Sequence, residues 1–324
     1  MIRYALRRLL FALSLVAGVS LLGFIAFAKT FDPLWQLRMC GTAKCQSQIA
    51  HLTVKYHLDK PVLERYWYWL SGLARHGFRG IDGFPIGSQL LSSAEVTAEL
   101  MAAALVVTAL FAVLVGVVSA RRAGRPLDVL LRTLAYVSWS LPSFLVASLA
   151  LRWLGDKGWF LFGGGNIYTG GVQFSHATGF VSWIRVMTVP VLTLSLGLIG
   201  LYSRYVRTAV LTELNRPYAV VARGKGLTER RVAYRHALRN ALPPFASVLS
   251  LEIGAILGAS LAVDYVFQMG GLASYFLSAL TQSSDPYQLT AVIVAASAVV
   301  VLLMLVGDFL VGWLDPRTAI ATSQ

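Results

Sequence analysis

Six long apolar runs dominate the chain, and each could cross a lipid bilayer as a helix, which needs roughly 20 residues. Within each run, apolar residues follow one another continuously instead of alternating with polar ones, and this pattern favours helices over strands. We therefore predict an all-α integral membrane protein with six transmembrane helices. The predicted spans are residues 9–28, 97–120, 129–151, 186–205, 245–267 and 289–313.

The amino-acid composition agrees with insertion into a membrane. Of the 324 residues, 56% are hydrophobic and 13% are charged. The charged share is about half that of a typical soluble domain, and a soluble fold could not bury so much apolar surface. The formal net charge of +13 would suggest nucleic-acid binding in a soluble protein. Because the cations lie between apolar runs, membrane topology explains them, and we expect no nucleic-acid partner.

The distribution of Lys and Arg orients the predicted spans. Basic residues are concentrated before the first span, after the second and after the fourth, whereas residues 268–288 contain neither Lys nor Arg. Since positively charged loops stay in the cytoplasm, we expect both termini there and residues 29–96 outside. The first 28 residues also resemble a secretory signal peptide. We favour a retained span, because the apolar run exceeds a typical signal sequence and its loss would spoil the charge pattern.

The first external loop, residues 29–96, is too long to be a simple connection. Its segment 61–80 begins with Pro61, which suits the first turn of a helix, and carries four consecutive aromatic residues at 66–69. Tyr and Trp are typical of helices that lie at the depth of lipid headgroups. We predict an interfacial helix that serves as a surface anchor, as a docking surface for a soluble partner, or as both.

The same external loop contains the two cysteines of the chain, Cys40 and Cys45. An external loop faces an oxidising compartment, where a local disulfide is expected. Two free thiols are the alternative, and a metal site would need more ligands than this stretch provides.

A basic segment, residues 218–244, separates the fourth and fifth predicted spans. Gly224 and Gly226 interrupt its helical period, so we predict two short helices joined at residues 225–227, the second capped by Thr228. Pro217 and the pair Pro243–Pro244 bracket it. From composition alone, this segment could equally be a cytoplasmic loop whose Arg side chains lie near phospholipid.

The order of residues in the basic segment favours a more specific interpretation. The sequence "ARGKGLTERRVAYRHALRNALPP" resembles the cytoplasmic coupling loop of ABC-importer permeases of the oligopeptide, dipeptide and nickel family. That family typically has Ala-Arg-Ala-Lys-Gly-Leu followed by Arg-His-Ala-Leu-Arg-Asn-Ala. The sequences "MIRYALRRLL", "SLPSF", "VDYVF" and "LDPR" also resemble the family, so the likeness extends over nearly the whole chain. The long first external loop is similar to that of the B-type subunit.

This resemblance implies a type I ABC-importer permease in which 1–324 form one transmembrane domain and 213–244 couple to a separate ATPase. The ATP and Mg²⁺ would belong to that ATPase, and the chain itself, which contains no G-x-x-x-x-G-K-[ST] motif, needs no cofactor. The implied partners are a second homologous permease, one or two cytoplasmic ATPase subunits, an extracytoplasmic peptide-binding protein and membrane lipids. The implied location is the bacterial inner membrane. The candidate coupling residues are Ala222, Arg223, Gly224, Lys225, Gly226, Leu227, Arg230, Arg231 and His236.

Within the coupling loop, Gly226 would allow the tight turn, and Arg223, Lys225, Arg230 and Arg231 would contact the ATPase. Leu227 is expected to contribute more to affinity than the exposed Arg side chains. The chain departs from the family in three places. Val220 and Val221 stand where the general importer motif has Glu-Ala, Gly224 replaces an Ala, and Met-Gly-Gly-Leu at 269–272 replaces Pro-Gly-Leu-Gly.

Polar residues inside the predicted spans are candidates for a translocation path, because ionisable groups in a membrane are functional by default. Pro142 is expected to kink span three and to leave carbonyl groups of the preceding turn without their helical hydrogen bonds. Each candidate also has a structural alternative, namely a hydrogen bond between helices or to a Ser side chain. Asp308, a further acidic residue in the predicted spans, fits the structural alternative best and is therefore not a candidate. The candidates are Ser138, Ser140, Pro142, Ser143, Glu252 and Asp264.

The leading functional hypothesis is half of a heterodimeric, ATP-driven import permease for oligopeptides or dipeptides. Nickel or another small solute is the alternative within the family. A stand-alone secondary transporter would favour an internal repeat and paired charges inside the membrane, and neither is evident. A membrane enzyme would need a cluster of metal ligands or a nucleophile–base pair, which the sequence does not suggest.

Overall fold

The computed structural model describes residues 2–80, 83, 85–155, 179–283 and 285–314. Apart from one isolated bridge between Arg79 and Pro85, the regular structure of these residues is helical. The helices are α1 (Ile2–Thr30), α2 (Trp35–Cys40), α3 (Ala43–Lys55), α4 (Val62–His76), α5 (Gly87–Arg121), α6 (Pro126–Ser140), α7 (Ser143–Gly155), α8 (Phe180–Leu214), α9 (Pro217–Gly224), α10 (Glu229–Arg231), α11 (Leu238–Leu251), α12 (Ile253–Phe267), α13 (Leu272–Ser278) and α14 (Pro286–Leu314). Two π-helical turns, Val232–Ala237 and Ala279–Ser283, follow α10 and α13.

Four helices in the described ranges are long and apolar enough to cross a membrane unbroken, and they lie in α1, α5, α8 and α14. Two further spans are each divided into two helices, α6 with α7 and α11 with α12. Counting each bent pair as one span gives six. The prediction of an all-α membrane protein is therefore confirmed. Spans three and five, which were predicted as single helices, are each broken into two.

The break in span three is centred on Pro142, where α6 and α7 meet at 94°. Leu141 has φ −82° and ψ 122°, which is an extended conformation. The residue before a proline is sterically pushed out of the helical region, so the X-Pro step ends α6. The sequence predicted a kink here, and the structure has a full break.

Span five bends by 57° at Glu252, whose φ of −89° and ψ of 0° interrupt the helix. The sequence placed Glu252 inside a continuous helix and gave no sign of this break. Pro243 and Pro244, which bracket the basic segment in the sequence, do not end a helix there. Both prolines lie inside α11, where they remove two backbone donors but retain a helical φ.

The chain divides into two compact units. The first contains residues 1–97 and 270–301, with Phe24, Leu34 and Tyr287 at the centre of its hydrophobic core. The second contains residues 98–269 and the chain from 302 onward. Its core is built on α8 and includes Tyr202, Val206 and Val210. The candidate coupling loop belongs to the second unit.

Helices α6 and α8 of the second unit approach each other at a glycine. A Cβ atom placed on Gly200 would overlap Ser138 Oγ and the carbonyl oxygen of Ala135, and would lie 3.1 Å from the amide nitrogen of Trp139. Backbone atoms cannot move aside as the end of a flexible side chain can. Small residues allow membrane helices to pack this closely, so Gly200 sets the separation of α6 and α8.

We expect Gly200→Ala to destabilise the second unit by about 1–3 kcal/mol, the usual range for overpacking a well-filled contact. Gly197→Ala, one turn earlier on α8, is the matched control, because its Cβ would lie 3.5 Å from the Ser138 carbonyl oxygen, an ordinary contact. Thermal unfolding of the two purified variants in detergent measures the difference. Equal melting temperatures would contradict this packing role.

Candidate functional site

The turn between α9 and α10 is a compact helix-ending motif. Gly226 has φ +81° and donates its N–H to the Arg223 carbonyl at 2.9 Å, and the Leu227 N–H reaches the Ala222 carbonyl at 3.3 Å. These two hydrogen bonds define a Schellman motif, in which a glycine adopts the left-handed conformation just after the helix. Thr228 then caps α10 by accepting from the Arg231 N–H at 3.4 Å. The chain direction is therefore fixed at both ends of the turn.

Arg223 is held within the loop. Its Nε donates to Glu229 Oε1 at 2.7 Å, and its Nη1 donates to the Leu214 carbonyl at 3.0 Å. Leu214 is the last residue of α8, where a cation is favoured by the helix dipole and by the free carbonyl groups. Arg223 thus joins α8, α9 and α10. These contacts position the loop, and the predicted contact of Arg223 with the ATPase stays a prediction, since 34% of the side chain is exposed.

An apolar layer lies beneath the loop. Ala219 and Ala222 of α9 and three residues of the following π turn, Val232, Ala233 and Ala237, are buried in one cluster with the C-terminal half of α8. Leu227 is half-buried and packs against this cluster. It therefore helps to hold the loop against α8, and its expected contact with the ATPase stays a prediction.

The outward face of the loop combines apolar and basic groups. Val220 and Val221 are 60% and 57% exposed on α9. Lys225, Arg230 and Arg231 are exposed, His236 is half-buried, and Gly224 ends α9 in open space. Thr228, Arg230, Arg231, Tyr234 and Arg235 line a shallow concavity of about 410 Å³. The two adjacent exposed valines give this face an apolar centre with basic groups around it.

Two further contacts fasten the loop. The Tyr218 hydroxyl donates to Glu213 Oε2 at 2.7 Å, and burial together with this hydrogen bond raises the pKa of Tyr218. The guanidinium of Arg121, at the end of α5, lies 5.6 Å from the ring centre of Tyr234. This cation–π contact connects α5 to the π turn.

A buried carboxylate that the sequence interpretation missed lies between α5, α6 and α8. Asp128 is fully buried and accepts two hydrogen bonds from Arg207, Nε to Oδ1 and Nη2 to Oδ2, both at 2.8 Å. It also accepts from Ser119 Oγ at 2.5 Å and from the Gly124 N–H at 3.0 Å. Asp128 thus connects three helices through a bidentate ion pair, the strongest common form. The sequence signal that could have indicated this buried ion pair was an acidic residue two positions after Pro126.

The candidate residues for a translocation path lie at or near the two broken spans. Ser138 and Ser140 donate to the carbonyl groups of Ala135 and Val137 within α6. Exposed Pro142 and half-buried Ser143 form the break that leads into α7, and exposed Glu252 forms the break in span five. Asp264 is buried in α12. Helix α7 packs against α12, so the two broken spans are neighbours in the second unit.

The external segment belongs to the first unit. Cys40 and Cys45 form a disulfide at the start of α3. The predicted interfacial helix corresponds to α4, whose Leu63, Trp67 and Leu70 are exposed along one side.

Four unbroken and two broken apolar helices in the described residues define a multi-spanning membrane protein. The chain belongs to the family of binding-protein-dependent transport system inner membrane components, whose model matches residues 112–320. The model of the family's N-terminal part matches residues 1–88. The resemblance inferred from the coupling loop is confirmed, and the chain is a transport component.

The similar proteins are peptide permeases. The chain is 32% identical to the oligopeptide transport system permease protein OppB of Mycobacterium tuberculosis, over 99% of this chain and 100% of that protein. It is 28% identical to the oligopeptide permease AppB of Bacillus subtilis, over 98% of this chain and 99% of that protein. It is 26% identical to the dipeptide permease DppB of Lactococcus lactis, with the same coverage.

Proposed function

We propose that this chain is one of two membrane-spanning subunits of an ATP-driven importer for oligopeptides or dipeptides. The observation that carries the proposal is the outward face of the coupling loop. Val220 and Val221 are exposed on a short helix whose other side is buried against α8 and whose end is fixed by Gly226. A rigidly held apolar pair surrounded by basic side chains suits a groove on a soluble protein. The similarity to oligopeptide and dipeptide permeases supports peptides as the substrate.

The partner that fits this face is a cytoplasmic ATPase subunit, which would hold ATP and Mg²⁺. When two ATPase subunits close on ATP, the docked loop moves with them, and its contacts with α8 transmit the displacement to the membrane helices. Leu214 and Val232 lie in the same buried cluster, so loop and helix move together. Exposed Lys225, Arg230 and Arg231 would add electrostatic steering.

The complete transporter would contain a second homologous permease, one or two types of ATPase subunit and an extracytoplasmic peptide-binding protein. We place it in the bacterial inner membrane with both termini of this chain in the cytoplasm. The translocation path would run along the two broken spans, because backbone groups freed at Pro142 and Glu252 are tolerated within a membrane only next to protein or water.

The double substitution Val220→Asp with Val221→Asp should remove binding to the ATPase. Charges placed in an apolar contact cost more than 2 kcal/mol at an interface hot spot, which corresponds to a loss of affinity of about thirtyfold or more. A tagged chain, co-expressed with its partner subunits and purified in mild detergent, should retain the second permease and lose the ATPase. In proteoliposomes, ATP-dependent uptake of labelled peptide should disappear in parallel.

Trp67→Ala is the control for this experiment, because Trp67 is exposed on the external helix α4, far along the chain from the loop. It should keep the ATPase. Wild-type protein that transports labelled nickel but no peptide would overturn the substrate assignment. Wild-type protein that carries no ATPase would overturn the importer assignment itself.

A further inference from the structure

The break in span five has one packed side and one open side. Ile253 is buried, and a Cβ atom placed on Gly307 of α14 would overlap the side chain of Ser250, so these positions pack against the rest of the second unit. Leu251 is 76% exposed, and Glu252 is exposed beside it. The carboxylate of Glu252 therefore lies on the open side of the 57° break between α11 and α12.

No group in the described residues compensates the negative charge of Glu252. Its side chain forms neither a hydrogen bond nor an ion pair there, and it does not cap α12. The Tyr202 hydroxyl of α8 interacts electrostatically with the carboxylate but makes no hydrogen bond to it. Glu99, within the second predicted span, shows the contrasting arrangement, because its Oε2 accepts from Trp183 Nε1 at 2.7 Å.

The position of Glu252 inside a span restricts what its open side can face. A charged side chain is costly against lipid tails, and such residues almost always face a water-filled cavity or another charge. Helix α7, the second half of the other broken span, packs against α12. A Cβ atom on Gly254, two residues after the break, would meet nothing within 4 Å. These observations favour a water-filled path as the environment of the Glu252 carboxylate.

We propose that Glu252 recognises positive charge on a peptide that moves along this path, an inference that rests on the peptide import proposed above. A peptide with a free N-terminus carries an ammonium group at neutral pH, and Lys or Arg residues add further cations. An ionised carboxylate accepts hydrogen bonds from such groups, and it repels acidic side chains. The path therefore favours cationic peptides over acidic peptides of the same length.

The exposure of Glu252 suits selection during transport better than tight binding. An ion pair that water can reach is weak, because solvent screens both charges. Passage through a membrane requires an interaction that is favourable enough for entry and weak enough for release. A single exposed carboxylate meets both conditions, so the peptide is favoured at the break without being trapped there.

The test uses the complete transporter in proteoliposomes, with its own binding protein, and measures ATP-driven uptake of labelled Ala-Lys-Ala and Ala-Glu-Ala. The ratio of the two uptake rates is compared between variants, so that the selectivity of the binding protein cancels. Glu252→Gln should lower the ratio of cationic to acidic peptide about fivefold, the upper end for an exposed ion pair. Glu252→Lys should lower it further, and Glu252→Asp, which keeps the charge, should preserve the wild-type ratio.

Glu99→Gln is the matched control, since it removes a carboxylate of a predicted span that already has a hydrogen-bond donor, and its ratio should equal that of wild type. Equal ratios in wild type, Glu252→Gln and Glu252→Lys would overturn the inference and leave peptide import intact. Loss of the second permease from the purified Glu252→Gln complex would place the carboxylate against that subunit and would also overturn it. Wild-type transporter that takes up neither peptide would overturn the proposed function instead.

Discussion

Asp128→Ala should destabilise the second unit by about 3 kcal/mol or more, the usual consequence of removing one member of a buried ion pair. The substitution leaves the Arg207 guanidinium, which is 18% exposed, without its bidentate partner. It also leaves the Ser119 hydroxyl and the Gly124 N–H without their acceptor. Thermal unfolding of the purified chain and peptide uptake by the assembled transporter measure the effect, and both should fall.

Two controls separate charge compensation from simple loss of packing. The double substitution Asp128→Leu with Arg207→Met removes the buried pair and should recover much of the lost stability, because the remaining partner of Asp128, Arg132 at 3.6 Å, is 43% exposed and can be solvated by water. Arg216→Gln removes the 59% exposed member of a pair with Glu213, 3.6 Å apart, and should cost less than about 1 kcal/mol. A double variant no more stable than Asp128→Ala would show that the buried pair itself is not what Asp128 contributes.

The features predicted well from the sequence are those with local causes. The turn at Gly226 and the cap at Thr228 follow from residue types within a few positions of each other. The break at Pro142 likewise follows from the X-Pro step, although its size does not. The apolar runs identify the spans because a bilayer demands about 20 apolar residues whatever the tertiary fold.

The features that were missed depend on contacts between distant residues. Asp128 and Arg207 are 79 positions apart, and each alone looks like an ordinary charge near the end of a span. The break at Glu252 contains neither Pro nor an adjacent turn motif. The contacts that hold Arg223 and partly bury Leu227 were also missed, because a helical period does not say which neighbouring helix covers which face.

The double proline shows how a sound local rule can fail. Pro243 and Pro244 lack the N–H groups that would bond to carbonyl oxygens one turn earlier, which normally ends a helix. In the structure a π-helical turn, Val232–Ala237, precedes them, and α11 runs through both. The coupling loop is therefore joined to span five by continuous helix, which gives it a second mechanical connection to the membrane besides its contact with α8.

Gly226→Val should uncouple the loop from the ATPase while leaving the membrane helices folded. A Cβ atom at Gly226 would meet nothing within 4 Å, so space does not explain the glycine. The φ of +81° at Gly226 explains the glycine, because placing a β-branched residue in the left-handed region costs at least about 1–2 kcal/mol of conformational free energy. Relieving that strain would break the Schellman hydrogen bonds and redirect α10 relative to Val220 and Val221.

The size of this strain is enough to reduce the population of the docking-competent loop about tenfold, since 1.4 kcal/mol corresponds to a factor of ten. Recovery of the ATPase with a tagged chain and peptide-stimulated ATP hydrolysis should fall accordingly, with the melting temperature of the isolated chain nearly unchanged. Gly226→Asn is the matched control, because Asn tolerates the left-handed conformation far better than Val. Gly224→Ala, in open space within α9, should be neutral or slightly stabilising. Equal coupling by the Val and Asn variants would mean that the left-handed turn is not what holds the docking face in place.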